Sequence, residues 1–127
     1  MHCELRSPER TLYTGEATLV VAHSPEGEFA VMDRHVPLLA ALAASPLRIK
    51  DEENEHVFAV SGGILRVTDA GVTILAHEAI SADAIDPAMI RTRREEVESA
   101  IASADEKGML QLELDYLDVQ ERLQGEA

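Results

Sequence analysis

Up to about residue 84, the apolar positions of this chain fall in short, β-branched runs separated by turn clusters. Ala17 to His23 is one such run, and it ends at Ser24-Pro25-Glu26-Gly27, where proline and glycine favour a reversal. Glu28 to Met32 follows as another. Leu47-Arg48-Ile49-Lys50 alternates apolar with charged residues, as a half-buried strand does, before the acidic tip Asp51-Glu52-Glu53-Asn54-Glu55. Val57 to Val60 then meets Ser61-Gly62-Gly63, and Ile64 to Thr68 leads away. That arrangement predicts a tight hairpin, because glycine reaches positive φ without a Cβ clash. Asp69-Ala70-Gly71 turns the chain into Val72 to Leu75. Strands at this spacing predict a sandwich or a barrel. Pro37 to Ala44 has room for one helical turn or two, and nothing before residue 85 has the pattern of a long helix.

Near Ile85 the period changes. Asp86-Pro87 is a helix start: aspartate caps, and proline suits the first helical position, whose N–H has no partner in any case. Ile90, Val97, Ile101 and Ala104 then share one stripe, with Arg91, Glu95, Glu98 and Asp105 off it. Met109 to Leu123 predicts a second helix with two neighbouring stripes, Leu110, Leu114 and Leu117 beside Leu112, Tyr116, Val119 and Leu123. Two stripes are wider than one partner helix needs, so this helix is expected to touch both its mate and something else. The end of the first helix stays open, since Ser103 with Glu106 is also a capping pair for the second. The chain thus divides into residues 1–84, a β domain, and residues 85–127, a helical hairpin. A hairpin of about 40 residues is marginal alone and must dock, permanently or as a switch.

Composition narrows the classes. The 127 residues suit one compact domain or two small ones, and 46% hydrophobic content is enough to build a core. With 3% aromatic residues that core must be aliphatic. The net charge of −13 divides almost evenly, with 13 acids and 6 bases before Ile85 and 11 and 5 from it onward. A surface this acidic repels phosphate backbones and anionic headgroups, which argues against nucleic-acid binding and direct membrane insertion. The longest apolar stretch, Val36 to Ala44, is far short of the roughly 20 residues of a membrane helix. Met1-His2-Cys3-Glu4 has no leader pattern, so the protein is expected to stay where it is made. Cys3, the single cysteine, has no internal disulfide partner and reads as an inert strand residue.

Chemistry is hard to find. The five histidines, His2, His23, His35, His56 and His77, lack metal-ligand spacing. Gly62-Gly63 is followed by no Lys-Ser/Thr pair and opens onto a strand, so it is no phosphate loop. Ser61 does not sit in a nucleophile elbow. The acidic tip lacks the glycine and closing glutamate of a calcium loop. No catalytic residue, metal or cofactor is predicted.

Three blocks are more specific. Glu26 to Leu42, reading EGEFAVMDRHVPLLAAL, resembles the segment of the F-type ATP synthase epsilon subunit that runs roughly E-G-E-x-G-I-x-P-G-H-x-P-L-L-x-x-L. Phe58 to Val67 with Val72 to His77, and the opening Ser7 to Ala17, resemble that family in the same order. The resemblance implies a mainly β fold with α: an N-terminal β-sandwich of about ten strands followed by a C-terminal two-helix antiparallel hairpin. It implies a non-catalytic subunit of the central rotor stalk that grips the gamma subunit, rests on the c-ring and couples ring rotation to ATP synthesis. Its place would be peripheral, on the cytoplasmic face of the cell membrane. The hairpin would make transient contact with alpha and beta subunits and inhibit ATP hydrolysis.

By the same resemblance Glu28 and His35 belong to the loop facing the c-ring, where Glu28 would meet polar, often basic, loops. A turn histidine holding its own loop is an equal reading of His35. Ala30, Asp33 and Arg34 stand where the family pattern has Gly, Pro and Gly. Some members bind ATP through an I/L-D-x-x-R-A motif, aligned here with Ile85, Asp86, Pro87, Ala88, Met89 and Ile90. Met89 replaces the arginine that would meet phosphate charge, so ATP binding is expected to be weak or absent. The alternative class is a free-standing β-sandwich that binds a ligand under a helical lid, or a metal enzyme using the histidines.

Overall fold

The computed structural model describes residues 1–34, 36–103 and 107–126. Ten strands come first: β1 (His2–Arg6), β2 (Thr11–Glu16), β3 (Leu19–Ser24), β4 (Gly27–Met32), β5 (Leu38–Leu42), β6 (Ser45–Lys50), β7 (Glu55–Val60), β8 (Gly63–Thr68), β9 (Gly71–Ala76) and β10 (Ala79–Ser81). A 3-10 turn, Ala82–Ala84, leads into α1 (Pro87–Ser103) and α2 (Lys107–Glu126). The strands form two five-stranded sheets, in the orders β2-β1-β9-β8-β5 and β10-β7-β6-β3-β4. All pairings are antiparallel except that of β1 with β9.

The sandwich core is aliphatic, as the scarcity of aromatics demands. Leu5, Val20, Leu47, Ile49, Leu65 and Ile74 are fully buried between the sheets, and Phe58 is the one aromatic among the buried residues there. The period of two is plain in β6, where Leu47 and Ile49 point inward and Arg48 and Lys50 do not. Both short reversals read from the turn clusters form: Ser24 pairs with Gly27 and Thr68 with Gly71 across two-residue loops. The acidic tip is the β6–β7 turn, held by Asp51 Oδ1, which accepts the backbone N–H groups of Glu53 and Asn54 at 2.8 and 2.6 Å.

Two readings are corrected. Gly62-Gly63 does not close a hairpin, because β7 and β8 lie in different sheets. The glycines, at φ 120° and 150°, carry the chain across the sandwich instead. Their neighbours pair with the β9–β10 link: Ser61 N–H donates to Glu78 O and His77 N–H to Gly62 O, each at 3.0 Å. The Pro37–Ala44 stretch is strand β5 rather than helical turns. Leu38 to Leu42 pair residue by residue with β8, which satisfies their backbone groups in the sheet.

A second, smaller core joins the helices to the sandwich. Ile85, Ile90, Tyr116, Leu117, Val119 and Leu123 gather over Ala59, with Val57 and Ile80 packed against them. Thus α2 rests on the outer face of β6 and β7 while α1 packs along α2. This is the double contact that two stripes require. Leu112 departs from its stripe and is exposed. The side chain of Ile101, and Ala104 to Glu106 with their capping pair, lie outside the described residues.

Candidate functional site

The β3–β4 hairpin presents Glu28. Ser24 Oγ accepts the N–H of Glu26 at 3.2 Å and donates to Gly27 O at 3.3 Å, which fixes the turn before the strand. Glu28 is exposed on the edge strand β4, opposite His23. At the far end of that strand Asp33 binds the Met1 ammonium at 2.9 Å, and Arg34 is exposed with φ 64°. Arg34 therefore keeps the left-handed backbone that the glycine of the family pattern favours. His35 lies outside the described residues. The five steps from Glu28 to Asp33 span about 16 Å of extended chain, so these two side chains stand at opposite ends of the strand.

The residues aligned with the ATP motif also separate. Ile85 is buried in the second core. Asp86 caps α1, accepting the N–H of Ala88 at 2.9 Å on Oδ1. Met89 points to solvent with 70% of its surface exposed. Further along α1, two arginines face α2. Arg93 donates to Glu96 at 3.0 Å and to Glu113, and Arg94 to Asp118 at 2.7 Å and Glu121 at 3.2 Å. Hydrogen bonds to Glu113 and to Asp118 raise the two guanidinium pKa values further.

The described histidines do not form a cluster. His23 Nδ1 lies 3.2 Å from Pro46 O, whereas His56 Nε2 is 3.1 Å from Asp51 Oδ2 and its ring leans on Tyr13. Among the described residues no group of three or more His, Cys, Asp or Glu is arranged to hold a metal ion. Cys3 is fully buried, and desolvation pushes its thiol up to about 12, which makes it a poor nucleophile.

One surface was not read from the sequence. The outer face of the first sheet carries Ala41, Ile64 and Leu75 in a row, each paired with the next across neighbouring strands. Ile64 and Leu75 are 49% and 53% exposed, and Leu39 joins them one row away at 70%. The second sheet's outer face is covered by α2, but no described element covers this one. Its signal in the sequence is apolar residues on both parities of β8 and β9, where a one-sided strand would place polar groups on the outside.

Two stacked five-stranded sheets with a trailing helical pair define the class. The β-sandwich domain of ATP synthase delta/epsilon chains matches residues 1–82. The ATP synthase epsilon chain of Laribacter hongkongensis is 40% identical over 106 residues, 82% of this chain and 76% of that one. That of Xylella fastidiosa is 40% identical over 107 residues, 84% of this chain and 76% of its own length. A chain in the cryo-EM structure of the Euglena gracilis mitochondrial ATP synthase OSCP/F1/c-ring assembly shares the fold, with a TM-score of 0.77 at 23% identity over 94% of this chain and 78% of that one. The chain belongs to the ATP synthase epsilon chain family.

Proposed function

We propose that this chain works in the central stalk of an F-type ATP synthase, carrying c-ring rotation to the gamma subunit and performing no chemistry itself. Residues 1–84 are the part that seats on gamma and the c-ring, and residues 85–127 are a hairpin that restrains ATP hydrolysis through contact with alpha and beta subunits. The observation that carries this reading is the bare apolar row Ala41–Ile64–Leu75. An exposed patch of large aliphatic side chains on a rigid sheet, with helices already covering the other sheet, is what a permanent protein partner needs. Gamma is assigned to that face. Glu28, with His35 beyond the other end of its strand, is assigned to the c-ring loops, where an exposed charge orients more than it binds. Among the described residues no helix is long and apolar enough to cross a membrane. The proposed place is peripheral, on the cytoplasmic face of the membrane, held there by gamma and the c-ring.

The test is capture of the chain by a gamma subunit in wild-type form and as the Ile64→Asp, Leu75→Asp variant. Both side chains are exposed, so the variant is expected to fold and to lose gamma. A variant that still co-purifies with gamma removes this face as the seat, and a wild-type chain that ignores gamma overturns the reading. A lidded ligand site is the weaker reading, since Tyr116, Leu117, Val119 and Leu123 of α2 pack directly against Ala59 of the sheet.

A further inference from the structure

The two helices are held unequally. α2 lies on β6, β7 and the 3-10 turn, whereas the extended packing of α1 is against α2 alone. Among the described side chains of α1, only Ile90 and Val97 are buried. These two are a heptad apart and form a thin seam, and Arg93 and Arg94 sit between them in sequence. Each arginine crosses to α2: Arg93 to Glu113, Arg94 to Asp118 and Glu121. Arg94 is 23% exposed and bridges two carboxylates one turn apart, so much of its stem is shielded from water. Over residues 107–126, α2 carries five acids against Lys107 and Arg122. Without the α1 arginines, Asp118 and Glu121 would face each other at i,i+3 with no cation across the hairpin.

We infer that Arg93 and Arg94 form an electrostatic latch that holds α1 shut on α2, so that ionic strength sets how often the part of α1 beyond Ile90 loosens from α2 and opens locally while α2 stays on the sheet. The latch needs no bound nucleotide, because carboxylates of the same chain occupy the guanidinium groups. Its regulatory meaning rests on the proposed role of residues 85–127, but the latch is a property of the isolated chain. Partly exposed pairs are screened by salt, since the Debye length shrinks to a few ångströms near molar concentrations. The apolar seam under α2 does not weaken in the same way, and chloride salts leave the sandwich core largely untouched.

Amide hydrogen exchange of the full chain tests this directly. Raising NaCl from about 0.05 M to about 0.5 M is expected to speed exchange in α1 several-fold, with the sandwich strands unchanged. The Arg93→Gln, Arg94→Gln double variant is expected to exchange α1 about tenfold faster at low salt and to lose the salt response. Arg94→Glu should open α1 further, and adding Asp118→Arg should close it again. Exchange in α1 that ignores both salt and the double substitution overturns the latch. So does failure of the reversed pair to restore protection, which would assign the effect to packing by the arginine stem. If the double variant loses strand protection as well, the salt titration of the unaltered chain decides alone. None of these outcomes bears on gamma capture, so the latch and the stalk reading fail separately.

Discussion

Gly63 lies so close to Leu75 that a Cβ placed on it would stand 2.1 Å from the Leu75 carbonyl oxygen. The residue also holds φ at 150°, where side chains are strained. Strand β8 begins at this point, after the chain has crossed from one sheet to the other. Gly63→Ala is therefore expected to cost roughly 3 kcal/mol or more, since backbone rather than a flexible side chain must yield. Thermal melting should fall by about 10 °C or more. Gly125→Ala is the control: nothing lies within 4 Å of its Cβ position, and the melt should hardly move. An unchanged melt for Gly63→Ala would show that the crossing relaxes easily.

Nucleotide binding is the second test. Met89 is exposed where the family motif has arginine, and Arg93 and Arg94 are already paired with carboxylates. Titration calorimetry of the unaltered chain with ATP is expected to give no micromolar binding. Measured micromolar affinity would mean that another cation serves the triphosphate.

The core between the two sheets contains no helix residue, so removing the hairpin should leave the sandwich folded. A chain truncated after Ile85 is expected to keep its gamma contact while ATP hydrolysis by the assembled enzyme rises. Unchanged hydrolysis would remove the inhibitory role and leave the coupling role standing.

Stability should fall at both ends of the pH range. Asp51 has its pKa lowered from 3.8 by hydrogen bonds from Asn54, His56 and Glu53. It favours the folded chain while ionised, and that contribution disappears as pH drops below the ordinary carboxylate range. Cys3 runs the other way. Burial raises its thiol from 9.0 to about 12, so its contribution is complete below pH 9 and is lost as pH climbs toward 12, where the unfolded chain ionises first. Denaturant melts across pH should show both limbs. Cys3→Val, which keeps the site apolar, should flatten the alkaline limb, and an alkaline limb of unaltered depth would assign it elsewhere, Tyr116 being the next buried group with a raised pKa.

The sequence shows local order well and the joining of layers poorly. Ser24 to Gly27, Asp69 to Gly71 and Asp86-Pro87 each carry their instructions within a few residues, and each forms as read. The Gly62-Gly63 pair does not, because glycine makes a crossing as easy as a reversal, and only the hydrogen bonds to His77 and Glu78 decide between them. Strand β5 was missed for a related reason: Leu38 to Leu42 alternate in exposure, but alanines and leucines alone give no polar contrast to reveal it. The row Ala41–Ile64–Leu75 comes from three strands and becomes a surface only once their register is known. Asp86 keeps its place in a degenerate motif, and its capping hydrogen bond is reason enough for an aspartate there.

The parallel pairing of β1 with β9 has a consequence for the order in which the chain is made. Cys3 and Leu5 cannot complete their sheet until Val72 to Leu75 have left the ribosome, some 70 residues and about 4–15 s later. During that interval the first hairpin is a nascent edge with an unpaired flank, open to chaperones or to wrong pairing. The helices emerge last, after β6 and β7 exist to receive them. Synthesis thus delivers a closed sandwich before the hairpin arrives, and a pause inserted before residue 72 should harm yield more than one inserted after it.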